Sequence, residues 1–185
     1  SFTNRRDRLE KSFGRLKRDQ DGLSTHAYDA IDDAVRMLWK RAPRFSGDRL
    51  MKRAVIVITD GFPVGDVVSP ETVIERANAV ETTVYALILP SYSRLQPAKR
   101  PLLTPLEATG LIERTGGRSF YVAEDNFEPF FKALAEELTA SYAIAFYPSE
   151  NKRSDGKFRQ VRIEARQGLV VKQNRPGYRQ QIESK

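Results

Sequence analysis

The chain has 185 residues, 40% of them hydrophobic, with 31 Lys and Arg against 24 Asp and Glu for a net charge of +7. It contains no cysteine, which excludes thiol catalysis, disulfides and cysteine zinc sites, and its one histidine, His26, excludes a multi-histidine metal centre. The length suits one α/β domain with an appendage. The basic residues are spread along the chain rather than gathered into a tail or an arginine-rich arm. No apolar run approaches membrane-spanning length, and no signal peptide is visible. The chain starts at Ser1, as a processed product or a piece of something longer would.

Leu9, Phe13 and Leu16 share one face at i, i+4 and i+7 and predict a first helix within residues 1–20. Asn4 is placed to cap it, and Asp7 three residues on resembles the acidic member of a capping box. Asp21 to Ser24 is a loop. Ala27, Ala30, Ile31, Ala34, Val35 and Leu38 mark one face of a second helix over about 26–41. Ser24 or Thr25 stands where a capping hydroxyl is wanted. His26, on the first turn, has no cysteine or serine partner and reads as a surface or packing residue rather than a catalyst. Pro43 to Arg49 is a polar loop.

Arg53-Ala54-Val55-Ile56-Val57-Ile58-Thr59-Asp60-Gly61 follows. A continuous β-branched run ending in a turn predicts a strand buried on both faces, the mark of a parallel sheet covered by helices. Asp60 then falls at the strand's carboxyl end, where open α/β sheets bind ligands. It is equally placed as an ordinary turn residue before glycine. Phe62 to Val68 forms a loop at the same end. Ser69-Pro70-Glu71 opens a helix with a capping serine, proline at the first helical position and an acid in the first turn. Val73, Ile74, Ala77 and Val80 face inward. Thr83 to Leu89 repeats the continuous apolar character, and strand, helix and strand make a right-handed parallel βαβ unit.

Residues 90–105, with four prolines, form a long loop at the carboxyl end of that second strand. Thr104-Pro105-Leu106-Glu107 is a full capping box, and the helix it opens ends at Gly116-Gly117. Ser119 to Val122 is a third strand. Asp125 or Asn126 caps a last helix whose apolar face is Phe127, Phe130, Phe131, Leu134 and Leu138. From Ser141 the period changes to alternation. Tyr142, Ile144 and Phe146 predict one half-exposed strand, Val161, Ile163 and Ala165 a second, and Leu169 to Val171 a third, with a hairpin signal at Asp155-Gly156. Residues 1–140 therefore form the α/β part and 141–185 an antiparallel β extension.

These landmarks resemble the von Willebrand factor A domain, and most closely its bacterial, Acidobacteria-type branch. Phe2-Thr3 with Arg6-Asp7-Arg8-Leu9 resembles the start of the branch's helix before the threonine loop. Ser24-Thr25-His26-Ala27-Tyr28-Asp29-Ala30-Ile31 is similar to its Gly-Thr-x-x-Tyr-Asp-Ala motif, with Ser24 in place of glycine. The Thr-Asp-Gly strand end, Thr115-Gly116-Gly117, Ser141 to Pro148, Lys157-Phe158-Arg159 and Pro176-Gly177-Tyr178 follow in the branch's order. The resemblance implies a Rossmann-like parallel sheet flanked by helices, with a divalent cation, Mg²⁺ first and Mn²⁺ or Ca²⁺ as alternatives, at its top. It also implies that Thr25 and Asp60 are metal ligands and that a protein partner's acidic side chain completes the coordination. Oxygen donors suit such hard ions.

The family's first ligand element, Asp-x-Ser-x-Ser, does not occur in this sequence. The resemblance would place it before Ser1, together with the first three strands and the first helix. The metal site is then at most half built, and the strand at 54–59 lacks its neighbour, leaving an apolar edge open to pairing. The expectation is a C-terminal portion of a longer protein, or a second chain covering that edge. The function expected is protein binding of adhesion or scaffold type, not catalysis. No nucleophile–base motif, phosphate loop or carboxylate pair with catalytic context is present. Nucleic-acid binding is the alternative suggested by the net positive charge, ranked lower because acids alternate with the basic residues. Family resemblance favours a secreted or periplasmic setting.

Overall fold

The computed structural model describes residues 2–16, 25–89, 103–122, 127–140, 142, 144, 146–147, 157–166, 168, 171, 173 and 177–179. Its centre is a parallel sheet of three strands, β3 (Arg53–Thr59), β4 (Thr82–Ile88) and β5 (Ser119–Tyr121), in the order β3-β4-β5. Arg53 lies beside Thr82 and Thr59 beside Ile88, so β3 and β4 pair along their full length. β5 joins β4 from Ala86 to Ile88. Helix α3 (Pro70–Ala79) makes the crossover from β3 to β4. Its start is built as expected, with Ser69 accepting the Thr72 N–H at 3.3 Å and Pro70 on the first turn.

The apolar runs of β3 and β4 divide by parity between two layers. Val84, Ala86 and Ile88, with Val55 and Val57, pack against α2 (Ala27–Arg41), α3, α4 (Pro105–Ala108) and α5 (Leu111–Arg114) through Ile31, Val35, Val73, Leu106 and Ile112. Tyr85 and Leu87, with Ala54, pack on the other face against Phe130 and Leu134 of α6 (Glu128–Ala140). Helices thus cover both faces, the arrangement a continuous apolar strand requires. Cover is uneven at β3, however. Ile56 and Ile58, on the α6 side, are 40% and 54% exposed. Among the described residues nothing pairs with the outer edge of β3.

Several expectations need correction. Helix α1 (Arg6–Leu16) forms, but Thr3 rather than Asn4 takes the first N–H, from Arg5 at 3.2 Å, and Asp7 pairs with the Arg5 guanidinium. Leu9 and Phe13 are exposed, so the apolar stripe is not used within the described residues. A two-residue antiparallel hairpin, β1 (Phe45–Ser46) with β2 (Arg49–Leu50), occupies the predicted polar loop and turns at Gly47. The single helix expected from Thr104 to Gly116 is broken into α4 and α5. Gly110 adopts φ +68°, which ends a right-handed helix, and the Thr109 hydroxyl accepts the Leu111 N–H to restart it. Ala30 is exposed on α2, and Phe131 is 51% exposed on α6, leaving Phe130 and Leu134 as the buried residues there.

Among the described residues the C-terminal extension holds one antiparallel pair, and neither of its strands is one of those predicted. β6 (Phe158–Gln160) pairs with β7 (Gly177–Arg179), and Val161 to Arg166 lie outside any strand. The Gln173 carboxamide replaces a neighbouring strand there, donating to the Val161 carbonyl at 2.7 Å and accepting the Ile163 N–H at 3.2 Å. Tyr142, Ile144, Phe146 and Tyr147 are exposed and not in a strand, although Phe146 meets the Tyr178 ring edge-on at 5.4 Å. Ser24, the predicted cap at 125–126, the loop 90–102 and residues 169–170 lie outside the described residues. Among the described residues, no helix is long and apolar enough to cross a membrane.

Candidate functional site at the carboxyl end of the sheet

Both predicted ligand residues stand on the rim at the carboxyl end of β3. Asp60 follows the strand directly and is half-buried. Its Oδ1 accepts the Phe62 N–H at 3.0 Å, the short-range turn bond typical of aspartate. Thr25 precedes α2 and is also half-buried. Its carbonyl accepts the Val64 N–H at 2.9 Å and the Ala27 N–H at 2.8 Å. The first of these bonds sets the threonine segment directly against the loop that Asp60 begins.

The expected Thr25 cap is not made by its hydroxyl. The N-cap residue of α2 is His26, which forms no side-chain cap bond. The cap comes instead from a distant loop. Asp66 Oδ1 accepts the Asp29 N–H, on the first turn of α2, at 2.9 Å. Asp29 answers by accepting the Val67 N–H at 3.1 Å and the Val68 N–H at 2.8 Å. This is the logic of a capping box, two carboxylates each satisfying the other segment's backbone, carried across 37 positions of sequence. The N–H groups of Val68 and Val67 hold the Asp29 carboxyl below the usual aspartate range.

The loop's other flank is equally constrained. Gly61 has φ +83°, and a Cβ there would lie 2.6 Å from the Thr104 side chain. Gly65 has φ +81°, and its Cβ would lie 2.8 Å from the His26 ring. The Leu106 N–H donates to the Gly61 carbonyl at 3.1 Å. Thr104 and Glu107 form the predicted capping box, with the Thr104 hydroxyl 2.8 Å from Glu107 Oε2, and the Tyr121 hydroxyl joins the same oxygen. Burial acts to raise the Glu107 pKa, but the bonds from Tyr121 and Thr104 outweigh it and the net direction is down. Burial first, and then Glu107, push the Tyr121 pKa up. This network, buried at Thr104 and Glu107, anchors α4 to β5.

Two donor sets at this rim merit comparison. His26, Asp29 and Asp66 bring one ligand atom each within 4.8 Å of one another. Both Asp29 oxygens already accept the Val67 N–H, and Oδ1 also takes that of Val68, so turning the group to an ion would release the loop. That set is therefore read as the clamp. Thr25 and Asp60 supply a hydroxyl and a carboxylate, hard oxygen donors that fit a Mg²⁺-like ion. Asp60 spends only one described bond, within its own turn. Asp29 and Asp66 were missed as functional positions, although Asp29 sits in the Tyr28-Asp29-Ala30 triplet already singled out.

A separate open cavity of about 480 Å³ is lined by Ile74, Asn78 and Arg114 on the helix side and by Val161 and Gln173 on the other. It contains neither Thr25 nor Asp60. Comparison of the chain with protein-family models and with curated proteins finds no match.

Proposed function

We infer that this chain is a protein-binding module of von Willebrand factor A type, acting in recognition or adhesion rather than catalysis. Its recognition surface is the rim formed by Thr25, the loop 60–68 and the start of α4. Thr25 and Asp60 hold a divalent cation directly or through water, and an acidic side chain of the partner completes the coordination. The cation supplies a positive centre that a carboxylate can bind. Two protein donors are fewer than the six that Mg²⁺ takes, so water and the partner fill the remaining positions. The resemblance implies a secreted or periplasmic setting for this activity.

The observation that supports the reading best is the Thr25 carbonyl bond to the Val64 N–H, which joins the threonine segment to the Asp60 loop. Nucleic-acid binding ranks below it. Several surface cations among the described residues are paired with acids, as in Arg6–Glu10 and Arg118–Glu137, both at 2.7 Å. The reading is tested by cation-dependent stability of the chain beside Asp60→Ala. Loss of the cation effect in that variant supports it, and no effect in the unmodified chain refutes it.

A further inference from the structure

Thr25 and Asp60 reach the rim on separate elements, one just before α2 and the other just after β3. The Asp60 turn is held from the sheet and from α4. The Gly61 N–H donates to the Thr59 hydroxyl at 3.1 Å, and the Gly61 carbonyl accepts the Leu106 N–H at 3.1 Å. Further along the loop the ties change direction. Every hydrogen bond described for residues 64–68 goes to Thr25 or Asp29. The Val64 N–H donates to the Thr25 carbonyl at 2.9 Å. Asp66 Oδ1 accepts the Asp29 N–H at 2.9 Å, and Asp29 Oδ1 accepts the N–H groups of Val67 at 3.1 Å and Val68 at 2.8 Å. Gly65 lies directly on the first turn of α2, since a Cβ there would stand 2.8 Å from the His26 ring.

A cap supplied by a neighbouring serine or threonine would satisfy the start of α2 as well as Asp66 does. It would not fix the helix to anything else. The exchange between Asp29 and Asp66 does, because each carboxylate satisfies backbone of the other segment. It also leaves the Thr25 hydroxyl out of the cap. The start of α2 and the far half of the loop therefore move as one body, and the near half of the loop carries Asp60. The spacing of the two donors is set through this connection. A site with two protein donors depends strongly on that spacing, because little else holds the donors in place. When the connection opens, only a fraction of molecules keep both donors in place, and the apparent dissociation constant rises by the inverse of that fraction.

We propose that Asp66, acting through Asp29, is a positioning residue for the cation site: it holds Thr25 at the distance from Asp60 at which one divalent ion meets both. The role rests on the cation reading of Thr25 and Asp60. It adds that the affinity of the site is governed by a carboxylate that does not touch the ion. Asp29 and Asp66 spend their oxygens on backbone N–H groups, so they support the donors rather than join them.

The test is a titration of the whole chain with Mn²⁺, read by the loss of the free-ion electron paramagnetic resonance signal, at a temperature where circular dichroism shows every variant folded. The unmodified chain is expected to bind and Asp60→Ala is not. Asp66→Ala is expected to raise the dissociation constant roughly tenfold, the lower end of what loss of a supporting bond costs a metal site. Asp66→Asn keeps the acceptor oxygen and drops the charge, so it is expected to lose clearly less. Amide exchange without cation gives a second readout. In Asp66→Ala the Val64 N–H, which bonds Thr25 and not Asp66, is expected to exchange about fivefold faster, while the Leu106 N–H at the other end of the loop keeps its rate. If the chain binds Mn²⁺ and Asp66→Ala binds it equally well, the positioning role is overturned and the cation reading stands. Equal losses in the Ala and Asn variants overturn the role too, by leaving charge as the whole effect, as does an unchanged Val64 rate. Absence of Mn²⁺ binding in the unmodified chain overturns the cation reading and the positioning role with it.

Discussion

Replacing Asp66 by alanine tests whether the carboxylate clamp organises the rim. Asp66 Oδ1 supplies the acceptor for the Asp29 N–H at 2.9 Å, a capping bond on the first turn of α2. Loss of a side-chain cap of this kind costs about 1 kcal/mol, within roughly 0.5–2. Asp66 Oδ2 is buried with no hydrogen-bond partner among the described residues, so removing it returns part of that loss and keeps the figure near the middle of the range. For a chain of this size, about 1 kcal/mol lowers the melting temperature by roughly 2–4 °C. Asp66→Asn keeps the acceptor oxygen and is expected to lose less than half as much. Urea denaturation and thermal melting of the two variants beside the unmodified chain give both numbers. An unchanged Asp66→Ala, or an Asn variant as unstable as the Ala variant, would refute the capping argument.

Gly61→Ala must force a left-handed residue and press a methyl group into Thr104, which is buried and locked to Glu107. A loss of at least about 2 kcal/mol is expected by denaturation, and a near-neutral result would contradict the packing described. The pH dependence of stability follows from Asp29. Its folded pKa is depressed by the Val68 and Val67 N–H groups, so its contribution is complete above the unfolded value of about 3.9. That contribution is lost as pH falls from there through the lower folded value. Asp29→Asn should flatten the acid limb of the stability curve in this window. An identical acid limb in the variant would show that the bonds to Val67 and Val68 do not persist in solution.

The elements read well in advance are those whose signals are local. β3 and β4 announce themselves by continuous apolar runs, and their layers follow from parity once a helix is known to cover each face. Ser69 with Pro70, and Thr104 with Glu107, are caps whose partners lie within three residues. What was misread depends on partners far away in sequence. Asp66 caps α2 from 37 residues downstream, so a nearby serine or threonine seemed the natural choice. Gln173 takes the place of a strand beside Val161 and Ile163, which periodicity cannot show. The break at Gly110 rests on one glycine, a residue that a helix pattern tolerates as readily as it ends one. At the rim itself, the motif named Thr25 and Asp60 as candidates, while the pair Asp29 and Asp66, which holds the loop to α2, was overlooked.

The most direct test of the recognition account is a thermal melt of the chain with and without Mg²⁺, repeated with Mn²⁺ and beside Asp60→Ala. A free cation at 100 times its dissociation constant adds roughly 2.7 kcal/mol of stability, which corresponds to a rise of about 5–10 °C for a chain this long. The account predicts a rise of this kind in the unmodified chain and none in Asp60→Ala. A melting temperature indifferent to both ions, or an equal rise in Asp60→Ala, would contradict the assignment of Thr25 and Asp60 to a cation.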